Sequence, residues 1–376
     1  MVTQCAVRAV SANVAAMTRA LRVGIIGVGM MGADHVERVA GRTVGAELVA
    51  VSDPAPDRAA ACASRYPGVR PIGDPLELIG DPEVEAVIIA SPAIAHEEQI
   101  RACLDVGKPT LCEKPMTAEP ASALALVEAE RTLGRHVITV GFMRRFDPEY
   151  VQLRQLVADG RIERLLLMHN VHRNKGVPTA NFASERLVSD ALVHEIDVAR
   201  FLFGEEVATI HVIAPHARAY APPGLIDPQI AVLTMVGGGV VTNEVFINSQ
   251  VGYEVRCEVV CERGTAIAGR PGTGLMTTSV GRTGGYWGGL LSEDYRGRFA
   301  TAYDREAQAW VDSVANGILT GAGAWDGYAA TAVAQAGLAS LASGQPVAVA
   351  LYHLRTRSSG QRARPRRAAV IRGVPS

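Results

Sequence analysis

No stretch of the 376-residue chain is apolar for long enough to span a membrane, so no membrane association is expected. Cysteine is sparse. Cys5, Cys62, Cys103, Cys112, Cys257 and Cys261 are scattered through apolar segments, which excludes the dense framework of a small secreted disulfide scaffold. Cys257 and Cys261 lie close together, but the alternation from Tyr253 to Cys261 reads as a strand with both thiols on one face. No further Cys or His stands at ligand spacing, so no metal is expected, and the thiols suit a reduced, cytoplasmic protein. Net charge is small, −1, and unevenly spread: Arg355, Arg357, Arg362, Arg364, Arg366, Arg367 and Arg372 meet no acid in the last stretch, which leaves −8 on the remainder. A body this acidic gives no reason to bind nucleic acid. Internal repeats and a low-complexity core are also missing.

Hydrophobic residues make up 48% and charged residues 20%, a globular balance, and the length allows two domains with full cores. Residues 1–20 read as a flexible extension. They hold no acid, Ser11 and Asn13 interrupt their apolar stretches so that no secretory core forms, and translation could begin at Met17. Residues 351–376 read as a basic, solvated, disordered tail.

Leu21 to Ile26 reads as a short buried strand that runs into Gly27-Val28-Gly29-Met30-Met31-Gly32, after which Ala33 to Ala40 has helical character. In this setting G-x-G-x-x-G marks a dinucleotide site. Gly27 allows the tight turn, Gly29 lets the backbone approach a pyrophosphate, Gly32 lets the helix close on the strand, and the helix N-terminus attracts the phosphates. Met30 and Met31 lie within that turn. The next strand, Ala46 to Ser52, ends in Asp53, spaced to accept from the adenosine ribose 2′-hydroxyl and to repel a 2′-phosphate; no basic residue follows until Arg58. NAD is therefore the expected cofactor rather than NADP.

Strands and helices then alternate to about Gly141: Glu85 to Ala90, His96 to Val106, Thr110 to Cys112, Ala121 to Thr132 and His136 to Val140. Such alternation predicts a doubly wound parallel sheet over 21–141. Ser91 and His96 follow a strand at its carboxyl end, where ligands of such sheets gather, although a loop serine and a helix-start histidine are structurally ordinary. Beyond Phe142 the texture changes. Leu165 to Val171, Val207 to Ile213, Ile230 to Val236, Val240 to Asn248 and Val255 to Cys261 read as successive strands, and Tyr150 to Ala158, Asp190 to Phe203, Tyr303 to Val314 and Trp325 to Ala342 as helices. This predicts an α+β domain over 142–350 with a large, mostly antiparallel open sheet. Helices cover one face of it, and alternating positions such as Val241, Val245 and Ile247 leave the other in need of a partner, which predicts a homo-oligomer.

Two segments carry chemistry. Leu111-Cys112-Glu113-Lys114-Pro115 ends an apolar run in a charged pair. In Ser189 to Asp197, a continuous helix would place Asp190, His194 and Asp197 on one face. A lysine, two carboxylates and a histidine are the groups that move a proton off an alcohol. A lone His194 would more often be a core histidine, but Asp190 and Asp197 on its face reverse that; for Lys114, which the following proline holds out of a helix, an ordinary surface lysine is the minority reading even without the downstream helix.

Glu113-Lys114-Pro115 after a nucleotide-binding half, followed by an Asp-x-x-x-His helix before an antiparallel sheet, resembles the Gfo/Idh/MocA family of NAD(P)-dependent sugar and cyclitol dehydrogenases. The longer segments are similar to its inositol-oxidising branch: Val140 to Asp147, Val171-His172-Arg173-Asn174, Asp190 to Asp197, Asp227 to Ile230, Gly252-Tyr253-Glu254 and Ala324 to Tyr328. The likeness runs from about Leu21 to Pro346. It implies an N-terminal Rossmann sheet, NAD, a polyol substrate and a dimer or tetramer, the latter expected here. It implies that Lys114 stabilises a developing alkoxide, that His194 takes the hydroxyl proton, and that Asp190 orients His194. Arg144, His172, Asn174, Asp197 and Tyr253 would bind ring hydroxyls, and Glu113 would stand beside the cofactor with Lys114. From position alone, His172 and Asn174 could equally cap a loop, and Tyr253 could pack the sheet. The implied reaction is oxidation at C2 of myo-inositol, with another inositol, an aminocyclitol or a sugar as alternatives. Lys175 to Glu185 has no pattern tied to substrate and is where a changed preference would sit. Relatives that act as NAD-using glycosidases or sugar-sensing repressors are the other readings; a repressor should lack one of Lys114, Asp190 or His194, and none is missing.

Overall fold

The computed structural model describes residues 19–177, 182–216, 221–269, 279–280, 286–287, 291–318 and 320–352. The expectations for residues 1–18 and 353–376, and for 178–181 within the variable segment, lie outside the described residues.

The first sheet is built from β1 (Leu21–Ile26), β2 (Ala46–Ser52), β3 (Arg70–Ile72), β4 (Ala86–Ile89), β5 (Thr110–Glu113) and β6 (Ile138–Gly141). β4, β5 and β6 are buried at every position, as expected of central parallel strands covered on both faces. Their order is β3-β2-β1-β4-β5-β6, all parallel, so the winding reverses between β1 and β4. Between the strands run α1 (Met30–Gly41), α2 (Pro56–Ala63), α3 (Pro75–Gly80), α4 (Ala93–Val106) and α5 (Pro120–Leu133). The crevice at the β1/β4 reversal is where such sheets bind ligands.

The second sheet follows α6 (Pro148–Ala158). It comprises β7 (Leu165–Arg173), β8 (Val207–Ile213), β9 (Gln229–Met235), β10 (Val240–Phe246), β11 (Glu254–Cys261) and β12 (Gly264–Ala268), in the order β12-β11-β7-β10-β9-β8, with Val347–Ala348 beside β8. Only the β7/β10 pair is parallel. One face is covered by α7 (Leu192–Phe203) and by α9 (Ala324–Ser343), which follows α8 (Tyr295–Asn316). α9 lies close enough to the sheet that a Cβ on Gly337 would meet Val188 and Ile210.

Three expectations need correction. Val241, Val245 and Ile247 are buried. They belong to the helix-covered core, because β10 alternates with its odd-numbered positions inward; the outward face carries Leu167, Ile213, Ile230 and Ile267 instead. Asp190 to Asp197 is not one α-helix, since Leu187–Ala191 is a π-helical turn that precedes α7. Ser189 and Asp190, short polar residues that compete for local hydrogen bonds, sit in that turn, and the wider turn moves Asp190 off the register assumed for His194. Finally, the chain beyond residue 142 also completes the first sheet: Ala322–Gly323 pairs antiparallel with β6, and Trp310 and Val311 of α8 enter the core around Val23 and Ile25.

Candidate active site

Gly27 adopts φ 86°, and its N–H donates to Ser52 O at 2.7 Å. A Cβ there would stand 2.7 Å from Ala90 O, and one on Gly32 would stand 1.7 Å from Gly27 O, so both glycines are required by the strand-to-helix closure itself. Gly29 differs. It is the N-cap of α1, and nothing lies within 4 Å of where its Cβ would be. A bare helix N-terminus facing open space fits a pyrophosphate. Met30 next to it is exposed and Met31 half-buried. At the end of β2, buried Asp53 accepts the N–H of Val28 and of Ala55 and a two-pronged bond from Arg58. Burial pushes its pKa up, but those donors outweigh it and hold the carboxyl below its usual range. These residues can hold NAD: the helix end its phosphates, Asp53 its ribose.

Ser91 and His96 are engaged within the protein. The Ser91 hydroxyl donates to Gln99 at 2.6 Å, and the His96 ring bridges Ser91 O (2.8 Å) and Pro115 O (2.9 Å). His96 thus ties the loop after β4 to the segment carrying Lys114. Glu113 is buried: its carboxylate meets His35 Nε2 at 2.9 Å and accepts the N–H of Lys114 at 3.3 Å. Burial raises its pKa, and His35 and Lys114 more than reverse this, so Glu113 is an anion that fixes the lysine backbone.

Lys114 reaches the second half of the molecule, donating from Nζ to Asp190 O at 3.1 Å. It meets the backbone of Asp190. The Asp190 carboxylate is instead held by Arg186 Nε (2.8 Å) and the Ser189 hydroxyl (2.7 Å). His194 is buried at the start of α7, edge-on to Phe142 and to His172, and its Nδ1 is enclosed with no hydrogen-bond partner among the described residues. Burial holds its pKa well below 6.5, and the charges of Lys114, Arg144 and His172 push the same way. Burial also lowers the pKa of Lys114, against the pull of Glu113 and Asp190.

Behind His194 lies a buried charged group. Arg144 pairs with Glu195, and His172 Nδ1 stands 3.2 Å from Glu195 and 3.3 Å from Arg144. Burial opposes the charge on Glu195, but Arg144 and His172 hold its pKa down at about 2. The Arg144 guanidinium is therefore largely spoken for. Tyr253 packs edge-on to His172 and Phe299, and burial pushes its phenol up to about 12, leaving a neutral donor. Asn174 is fixed by its backbone, donating to Phe246 O and accepting from Ser249, while its buried Oδ1 has no partner among the described residues. Asp197 is gripped by Arg145 through Nε at 3.0 Å and Nη2 at 2.6 Å. Arg145 also pairs with Asp326, so Asp197 belongs to an ion-pair cluster rather than to the face shared by Lys114 and His194. Sequence reasoning missed Glu195, His35 and Arg145. A signal existed for the first: α7 buries ten of its twelve residues, so any acid on it needs a cation.

A parallel sheet with a dinucleotide turn and a lysine at the end of one of its strands, facing a neutral histidine on a helix of the second domain, defines a nicotinamide-dependent oxidoreductase. The chain belongs to the Gfo/Idh/MocA oxidoreductase family: its NAD-binding Rossmann fold model matches residues 21–142, and its C-terminal alpha/beta domain model matches residues 154–349. Inositol 2-dehydrogenase from Mycolicibacterium smegmatis is 49% identical over 336 residues, 88% of this chain and 96% of that protein. The enzyme of the same name from Rhodococcus jostii is 48% identical over 88% of this chain and 92% of that protein. Among solved structures, myo-inositol dehydrogenase from Lactobacillus casei in complex with NAD(H) and myo-inositol superposes with a TM-score of 0.81 at 33% identity, covering 90% of this chain and 99% of that one.

Proposed function

We propose that the protein oxidises a ring secondary alcohol of a cyclitol, C2 of myo-inositol, to the 2-keto product with NAD. The observation that carries this reading is the enclosed pair of Lys114 and His194. His194 is held neutral by burial, so it can take the hydroxyl proton, while the Lys114 ammonium stabilises negative charge on the same oxygen. NAD, when bound, supplies the hydride acceptor. Asp190 acts through its carbonyl, which orients Lys114, and Glu113 holds the lysine backbone from the other side. His172, Tyr253 and Asn174 contribute polar groups for ring hydroxyls. Such partners matter because each buried hydroxyl left unpaired would cost about 1–3 kcal/mol, whereas Arg144 acts chiefly by fixing Glu195 and His172. The named activities of the Mycolicibacterium and Rhodococcus relatives support the substrate class.

The test is NADH formation by purified protein with a panel of inositols and hexoses. Myo-inositol should give the highest kcat/KM. A hexose preferred by tenfold or more, or release of free sugar from a glycoside without NADH, would refute the reading. We further place the protein in the cytoplasm as a homotetramer; the five described cysteines, all unbridged, agree with a reducing compartment.

A further inference from the structure

Asp53 does not face the ribose site as a lone carboxylate. Its Oδ1 accepts the N–H of Ala55 at 2.9 Å and both Nε (3.1 Å) and Nη2 (2.8 Å) of Arg58, while Oδ2 accepts only the N–H of Val28 at 3.1 Å. A carboxylate offers about four lone-pair sites, so Oδ2 keeps room for a ribose hydroxyl without displacing Arg58. The two side chains differ in exposure: Asp53 is 4% exposed and Arg58 60%. Arg58 projects from α2 so that its guanidinium covers the carboxylate from the solvent side. Two of its N–H groups are used on Asp53, and the rest have no protein partner among the described residues.

We propose that Arg58 is a specificity-determining residue of the dinucleotide site, neutralising Asp53 and so weakening its rejection of a 2′-phosphate. The inference rests on the proposed use of NAD(H) at this site. An acid at the end of β2 discriminates against NADP(H) because its charge opposes that of the 2′-phosphate, about −1.5 to −2 at neutral pH. A guanidinium within hydrogen-bond distance cancels most of that field beyond a few ångströms, and its free N–H groups can donate to a phosphate. The nearby pair Glu37 and Arg65 is itself neutral and adds little to either effect. Asp53 still selects for NAD(H) through the ribose hydroxyl. Arg58 sets how steep the selection is.

The experiment measures the Kd of NADH and NADPH by fluorescence on the full chain, for the native protein, Arg58→Ala and Arg58→Lys, at low and high ionic strength. Arg58→Ala should raise the NADPH-to-NADH Kd ratio about tenfold, as expected of one exposed charge acting over several ångströms, with most of the change on NADPH. Arg58→Lys should stay close to the native ratio. At about 1 M salt the native and Arg58→Ala ratios should converge, since the Arg58 guanidinium is exposed to screening. A ratio unchanged in Arg58→Ala, tighter NADPH binding by that variant, or a lysine variant that behaves like alanine would each overturn the proposal while NADH binding left the cofactor reading standing. Native protein that bound neither dinucleotide would overturn both.

Discussion

Burial acts on Lys114 and His194 in the same direction, lowering the pKa of each, but from ordinary values of 10.5 and 6.5. The common shift therefore separates their roles. The histidine is neutral across the physiological range and can accept a proton, and its acid limb lies below pH 6.5: kcat/KM should hold through that pH and fall only as more acidic buffer protonates His194. An acid limb, with activity lost on lowering the pH, centred above pH 6.5 would contradict a buried base. His194→Ala and Lys114→Ala should each lower kcat by about 10²–10⁴-fold while NADH still binds. Glu195 makes a second prediction. Its pKa is held at about 2 against an ordinary 4.5, so the folded state binds fewer protons there, and stability is present above pH 4.5 and lost as pH falls toward 2. Glu195→Gln should flatten that acid limb in urea melts, and an unchanged limb would show that Glu195 does not carry it. At this scale Lys114 and His194 were legible because their residue types and spacing are chemical. The engagement of Arg144, Asp190 and Asp197 was not, because it depends on which cations meet which acids once α7 is buried.

Among the elements, the β1–α1 turn separates two uses of glycine. A Cβ on Gly32 has no room beside Gly27 O, whereas one on Gly29 meets only open space. Gly32→Ala should lower the melting temperature by about 5 °C or more, the cost of overpacking a closed site. Gly29→Ala should leave it close to native but weaken NADH binding, because the added methyl stands where a pyrophosphate approaches the helix end. Equal destabilisation by both would contradict the assignment of Gly29 to ligand. These strands and helices were readable from buried runs and turn residues, within a few positions at most ends. Two features were not. The π-turn at Leu187–Ala191 looks helical by periodicity, and Ala322–Gly323 is too short to signal a strand before β6 is in place to pair with it.

At the scale of the whole molecule, the second sheet has one face closed by α7 and α9 and another carrying exposed Leu167, Ile213, Ile230 and Ile267. Apolar side chains on an open sheet call for a covering surface, and a second copy offers the same one. Light scattering should give about 159 kDa, four copies of the 39.7 kDa chain, and Leu167→Glu with Ile230→Glu should dissociate it. A native monomer would leave that face unexplained. The two sheets themselves matter to function because Lys114 from the end of the first and His194 behind the second converge on one space. The most direct test of that convergence is turnover of myo-inositol deuterated at C2. Deuterium should appear on the NADH formed, one per molecule of 2-keto product, and the transfer should be lost together in His194→Ala and Lys114→Ala. NADH formed without the label, or no turnover of any inositol by the native protein, would contradict the account.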